Sequence, residues 1–153
     1  MYLFEIMTQK QAMEIAYNWH YNGEYSFYDM EADQEDLEGF IDPETRGSSV
    51  YSVMNHHELI GFFSFTQTDA ETYDIGLGLR PNLTGQGLGL TFLRSGISFG
   101  KRSFNPKRLT LSVAAFNQRA LKLYKKVGFK EIDIFLQDTN GNTFEFIKMA
   151  YKC

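Results

Sequence analysis

Gly85, Gly87 and Gly89 alternate with Gln86 and Leu88 inside the stretch Tyr73–Phe99, YDIGLGLRPNLTGQGLGLTFLRSGISF. Glycine at every second position strips the loop of side chains, so several backbone N–H groups can converge on one anion. The residues before the loop read as a strand ending near Leu79, followed by a turn at Arg80-Pro81-Asn82. Those after it read as a helix beginning near Leu88. The first N–H groups of a helix lack partners within it, and its dipole favours negative charge at that end. The chemistry this spacing offers is the holding of phosphate oxygens. Two familiar phosphate loops do not fit. A P-loop carries Lys and then Ser or Thr after its last glycine, whereas Leu90-Thr91 stands here. The dinucleotide fingerprint, G-x-G-x-x-G, belongs at the first turn of a βαβ unit; counted from Gly85 the third glycine comes one residue early, and in mid-chain.

A glycine loop alone is also what a flexible strand-to-helix turn looks like. A second segment decides between the two. Leu109–Phe129, LTLSVAAFNQRALKLYKKVGF, reads as a strand, a short loop, Asn117 opening a helix, then Leu123-Tyr124, Lys126 and Gly128-Phe129. Together the two segments resemble the GNAT N-acetyltransferase superfamily. The first is similar to its acyl-CoA loop, (Gln or Arg)-x-x-Gly-x-(Gly or Ala), with Thr84, Gly87 and Gly89 at the first, fourth and sixth positions. The second is similar to its later motif, an asparagine that opens a helix and then Leu-Tyr-x-Lys-x-Gly-Phe. Thr84 stands where the family usually has Arg or Gln, which takes a cationic or amide contact from that point but leaves the main-chain donors.

The resemblance implies an α/β fold with a mixed central sheet of about seven strands, splayed central strands and about four helices, as a single domain over residues 1–153. It implies acetyl-CoA as donor substrate and a primary amine as acceptor, joined by direct attack in a ternary complex, with no metal. Such a transfer needs the donor held, the amine neutral, the oxyanion stabilised and the thiolate protonated. By motif position, Thr84, Gly85, Gln86, Gly87, Leu88, Gly89 and Leu90 hold the diphosphate. Pantetheine lies like an added strand against Leu77, Gly78 and Leu79, whose N–H groups polarise the thioester carbonyl; a preorganised donor of that kind contributes about 3 kcal/mol. Gly76 and Gly78 fit either a β-bulge or close packing. Asn117 contacts the cofactor arm and also caps its helix. Tyr124 lies near the sulfur and protonates the departing thiolate, although the residue pattern alone equally allows a core tyrosine on the stripe of Ala120. For the base, family members use a carboxylate on or before the central strand; Asp74, with Glu71 three residues earlier, supplies the candidates. The alternative reading is a non-catalytic acyl-CoA-binding or sensing module built on the same loop.

The remaining segments supply the scaffold. Met1–Met7 alternates as a strand, and Thr8 with Gln11 forms a capping box ahead of a helix whose inner stripe is Ala12, Ile15, Ala16 and Trp19. Tyr21–Asp29 reads as an aromatic loop, whose rings either bind an amine through their faces or pin the loop to the core. Asp33 caps a short helix carrying Leu37, Phe40 and Ile41, stopped at Asp42-Pro43. Ser48–Met54 and Leu59–Thr66 read as strands joined through Asn55-His56-His57-Glu58; adjacent histidines at a turn point apart, so this is a hairpin tip rather than a metal site. Lys130–Gln137 and Thr143–Tyr151 read as a second hairpin across residues 138–142. The order is β-α-α-β-β-β-α-β-α-β-β.

Composition narrows the setting. At 43 % hydrophobic residues the chain is not disordered. No apolar run reaches the ~18 residues of a membrane span, the N-terminal residues lack the pattern of an export signal, and the single Cys153 leaves no internal disulfide. A cytoplasmic protein with no membrane partner is expected. A formal net charge of −4 without a Lys/Arg block disfavours nucleic acid as partner and suits a cationic amine. Monomer and homodimer both fit.

Overall fold

The computed structural model describes residues 2–153. Seven strands form one sheet: β1 (Leu3–Ile6), β2 (Val50–Asn55), β3 (Glu58–Gln67), β4 (Thr72–Leu79), β5 (Arg108–Ala114), β6 (Lys130–Thr139) and β7 (Asn142–Lys152). They lie in the order β1-β2-β3-β4-β5-β7-β6. All neighbours are antiparallel except β4 and β5, which run parallel. Five α-helices accompany them: α1 (Gln9–Asn18), α2 (Gln34–Ile41), α3 (Pro43–Arg46), α4 (Gly89–Phe104) and α5 (Gln118–Val127). The mixed α/β sheet with its helices is the expected architecture. Met1, assigned by alternation to the first strand, lies outside the described residues.

Local chemistry explains where the elements start and stop. The Thr8 capping box closes in both directions, Thr8 Oγ1 accepting from the Gln11 N–H (3.1 Å) and Gln11 Oε1 from the Thr8 N–H (3.0 Å). Asp42-Pro43 ends α2 as expected, yet the chain at once starts the single turn α3. Proline at a first helical position gives up an N–H that would have had no partner, and Asp42 accepts from the Glu44 N–H (3.1 Å). The aromatic loop is more ordered than its composition suggests, with a 3₁₀ turn over Gly23–Tyr28. Both hairpins turn on two residues with positive φ, His56-His57 (50° and 67°) and Asn140-Gly141 (52° and 77°). Such a turn matches the twist of the flanking strands, so β6 and β7 run on to Thr139 and from Asn142 rather than leaving a five-residue loop.

Strand alternation divides the core between the two faces of the sheet. Phe63, Phe65 and Ile75 pack with Phe92, Leu93 and Ile97 of α4 and Leu121 of α5. On the other face Phe62 and Leu59 pack with Ala12, Ile15 and Trp19 of α1, and Phe40 of α2 joins them. Several rings on both faces sit where a side chain is missing. A Cβ on Gly96 would lie 2.2 Å from Phe63 Cζ, and one on Gly100 2.7 Å from Phe65 Cε1. The same reasoning settles Gly76 and Gly78. The β3–β4 register is unbroken from Gly61↔Leu79 to Gln67↔Tyr73, so there is no bulge in β4. Instead a Cβ on Gly78 would meet the Phe62 ring at 2.4 Å, and one on Gly76 would meet Ser64 Oγ at 2.6 Å. The bulge lies one strand away, where the β2–β3 register shifts at Val53/Met54 beside Gly61.

The centre of the sheet is paired over a short length. β4 and β5 match only at Thr72↔Arg108, Tyr73↔Leu109 and Asp74↔Thr110. From Ile75 to Leu79, β4 keeps β3 on one side and has no strand on the other. The central strands are splayed, as expected.

Gly96→Ala tests the seating of the rings. Alanine is the better helix former by about 1 kcal/mol, but Phe63 is 0 % exposed and has nowhere to move. A net loss of about 1–3 kcal/mol is expected, read as a lower urea midpoint at an unchanged denaturant slope.

Candidate functional site

The splay opens into a cleft of about 1100 Å³, bounded by β4, β5, the first turns of α4 and α5, the aromatic segment and α2. Hydrogen-bond alternation fixes what β4 shows to it. The Arg80 N–H donates to the Ile60 carbonyl (2.8 Å) and the Gly76 N–H to Ser64 Oγ (3.1 Å). Even-numbered amides therefore face β3, and those of Leu77 and Leu79 face the gap. Of the three residues expected there, Gly78 contributes a bare α-carbon against Phe62 rather than a donor. On the gap side the Tyr21 hydroxyl donates to the Leu79 carbonyl (2.7 Å), and burial pushes that phenol above its ordinary pKa.

The glycine loop has the shape its composition requires. Gly85 and Gly87 have φ of 72° and 77°, in the left-handed region that glycine favours. Leu88, the residue before α4, is right-handed and makes no side-chain cap. Alternating handedness turns successive N–H groups toward one side. No amide from Gly85 to Thr91 donates to a carbonyl or side chain of the described residues. Thr84, Gly85, Gly87, Gly89 and Leu90 line the cleft; Gln86 and Leu88 do not. Thr84 Oγ1 donates to the Pro81 carbonyl (2.7 Å) and Gln86 Nε2 to the Asn82 carbonyl (2.6 Å), so both side chains brace the loop on the preceding turn.

α5 brings the second motif to the same cleft. Asn117, buried, caps the helix by accepting from the Ala120 N–H (3.1 Å), and its Nδ2 donates to the Tyr28 hydroxyl (3.1 Å). Tyr124 is half-buried, with its ring edge-on to Phe129 at 5.9 Å. Its hydroxyl has no hydrogen-bond partner among the described residues. Apolar burial, helped by neighbouring Tyr28, holds the phenol above its usual pKa. It is a neutral O–H with its proton to give.

The two candidate carboxylates part company. Asp74 stands at the last paired position before the splay, half-buried, accepting from Thr110 Oγ1 (2.7 Å). Burial raises its pKa, opposed by the Thr110 hydroxyl and by Lys148. Asp74 is not itself among the residues that line the cleft, although its neighbours Ile75, Gly76 and Thr66 are. Glu71 is exposed and paired with Lys107 Nζ (3.5 Å), and it is not among the lining residues.

The family model described as the acetyltransferase (GNAT) domain matches residues 1–130. The chain belongs to the GNAT acetyltransferase family. Solved structures of similar shape include a GNAT-family acetyltransferase from Bacillus anthracis, with TM-score 0.74 and 15 % identity over 99 % of this chain and 94 % of that one. The spermidine N-acetyltransferase of Vibrio cholerae aligns with TM-score 0.77 and 17 % identity over 99 % and 95 %. The N-acetyltransferase PseH of Campylobacter jejuni gives 0.66 and 20 % over 99 % and 97 %. No curated protein matches the sequence.

In this GNAT acetyltransferase the cleft also brings in residues whose partners the local sequence patterns did not single out. Tyr21 closes one end of the gap, and Tyr28 reaches Asn117 across 89 positions of sequence. The Arg119 guanidinium lies over the Tyr25 ring at 4.3 Å. The signal for the tyrosines was the aromatic-rich segment, which gave the region but not the partners. Among the described residues no helix is long and apolar enough to cross a membrane.

Asp74 also gives a pH signature. Its pKa is raised in the folded chain, so the fold prefers the protonated form. Its contribution to stability is present below the unfolded carboxyl's pKa and is lost as pH rises through the folded value. Asp74→Asn should therefore melt higher than the parent protein at neutral pH, with a gap that closes below about pH 4. Melting curves of the two proteins across that range check it.

Proposed function

We propose that this protein is an acetyl-CoA-dependent N-acetyltransferase that passes the acetyl group to a primary amine by direct attack in a ternary complex. One observation carries the reading. The unengaged amides of Gly85, Gly87, Gly89 and Leu90, the open side of β4 and Tyr124 with its free hydroxyl line one cleft. The amides suit a diphosphate. The gap-facing N–H groups of Leu77 and Leu79 suit the amides of a pantetheine arm laid along β4 as an added strand, and one of them would sit at the thioester oxygen as negative charge develops there. Acetyl-CoA supplies the acetyl group already activated as a thioester.

Two proton transfers remain for the chain. Burial makes Asp74 a better proton acceptor than an ordinary aspartate, and its position at the last β4–β5 pair, next to the lining residues Ile75 and Gly76, supports a base that takes the amine's proton through one water. Glu71, neutralised by Lys107 outside the cleft, is the weaker choice. Tyr124 gives its proton to the departing sulfur. For the acceptor, Asp29, Glu35 and Asp36 line the cleft beside the buried Arg46, which leaves these elements with an excess of negative charge. The Vibrio cholerae enzyme of like fold is described in complex with CoA and spermine, and a cationic amine is the matching substrate class here.

Incubation with acetyl-CoA and a panel of amines, read by mass spectrometry, tests the proposal; CoA binding without turnover on any amine would leave the non-catalytic binding module instead. Tyr124→Phe is expected to lower kcat by about 10²-fold or more with little change in CoA affinity, and an unchanged kcat at the optimal pH removes Tyr124 from the acid role. Gly87→Glu forces a side chain onto a φ of 77° and points a negative charge at the diphosphate. It should raise the CoA dissociation constant about tenfold or more; a normal value by calorimetry contradicts the loop assignment.

A further inference from the structure

We propose that Arg119 replaces, from α5, the charge that the loop lost by having Thr84 at its first position, and that it binds the donor's diphosphate. The inference rests on the reading of the cleft as a CoA site. The loop carries no cation between Pro81 and Leu93, and Arg80 in the turn before it is committed to Asn82, the Leu59 carbonyl and Glu58. Thr84 cannot stand in, because its hydroxyl is committed to the Pro81 carbonyl. Backbone amides alone would then face a doubly charged group with partial charges only.

Arg119 is placed to complete the set. A Cβ built on Gly85 would lie 3.9 Å from Arg119 Nη1, so the guanidinium rests against the start of the amide row. The side chain lines the same cleft as Gly85, Gly87 and Gly89. Its charge is not already satisfied. Glu24 shares the small depression beside Tyr25, yet no carboxylate of the described residues comes within 4.0 Å of Arg119. Stacking on Tyr25 at 4.3 Å holds the planar group in one orientation. A guanidinium fixed in this way loses little freedom when its fork takes two phosphate oxygens, which a lysine at the same position could not match. The sequence position also follows from this: Arg119 is two residues beyond the Asn117 cap, so the cap that starts α5 sets the arginine beside the loop.

Calorimetry with CoA, dephospho-CoA and pantetheine on the parent protein, Arg119→Ala and Arg119→Lys tests it. Arg119→Ala should weaken CoA and dephospho-CoA alike by about 10- to 100-fold, the range for a charge-assisted pair. Pantetheine, which has no phosphate, should bind as before, and the salt dependence of CoA affinity should flatten. Arg119→Lys should fall between the parent and the alanine variant, and adding Thr84→Arg to Arg119→Ala should recover part of the loss. Unchanged CoA affinity in Arg119→Ala overturns the proposal. A loss confined to CoA and absent with dephospho-CoA also overturns it, since that assigns Arg119 to the 3′-phosphate. An equal loss with pantetheine reduces Arg119 to a structural prop and overturns it as well. If the parent protein binds no CoA at all, the reading beneath falls first and takes this inference with it.

Discussion

Three pairs of parallel backbone, Thr72 to Asp74 against Arg108 to Thr110, are all that join the halves of the sheet at its centre. Past them a strand in mid-sheet runs with one side unpaired, a costly position for N–H and C=O groups. The chain limits that cost at a few points. Tyr21 supplies a donor to the Leu79 carbonyl at the end of the gap. α4 and α5 pack on the face beneath, through Phe92, Leu93, Ile97 and Leu121. What is left unpaired, between Ile75 and Leu79, is the length of strand that a ligand with its own amides can complete. The opening is thus a property of the pairing pattern, and the glycines of β4 serve it indirectly by letting Phe62 and Ser64 sit close against the strand on the face away from α4 and α5.

What the sequence made legible was local and periodic. Alternating glycines after a strand, an asparagine ahead of a helical stripe, a capping box at Thr8 and Gln11 and the alternation of the N-terminal strand each act within a few residues, so a single chain displays them. What stayed hidden depends on partners brought together by folding. Asn117 and Tyr28 are 89 positions apart, and neither residue's neighbours hint at the bond. The strand glycines were ambiguous for a physical reason: a bulge and a ring packed on bare backbone both call for a missing Cβ. Glu71 and Asp74 look equivalent in sequence, and only their surroundings separate them, one facing Lys107 in solvent and the other Thr110 in the sheet. The turn before β7 was read too long because Asn140-Gly141 suffices where five polar residues stand in a row.

The two ends of the cleft are made of different materials. The end under α4 is mostly main chain, the loop amides and the inner side of β4. Main-chain donors are set by conformation and tolerate nearly any side chain that allows it, so a like fold can persist at identities of 15 to 20 %. The rest of the cleft wall is made of side chains from the aromatic segment, α2 and the tip of the β6–β7 hairpin, where the Asn140 N–H donates to Asp33 and its Nδ2 to the Phe27 carbonyl. On the proposed reading these side chains carry the specificity, and substitutions among them alter what fits.

Charge follows the same division. Arg119, Lys122 and Lys126 lie at spacings that share one side of α5, and all three line the cleft. Asp29, Glu35 and Asp36 line it from the aromatic segment and α2. On the proposed reading an anionic donor and a cationic acceptor enter one cleft, and each is drawn to the end where the other is not. Fields from exposed side chains fade over a Debye length of about 8 Å at physiological salt, so each set of charges acts mainly on its own end. The net charge of −4 therefore says little about either ligand, because it averages two patches that work separately. On the proposed reading the amine gives up its proton near the last β4–β5 pair. A carboxylate whose basicity comes from burial rather than from a charged neighbour, as that of Asp74 does, suits such a step.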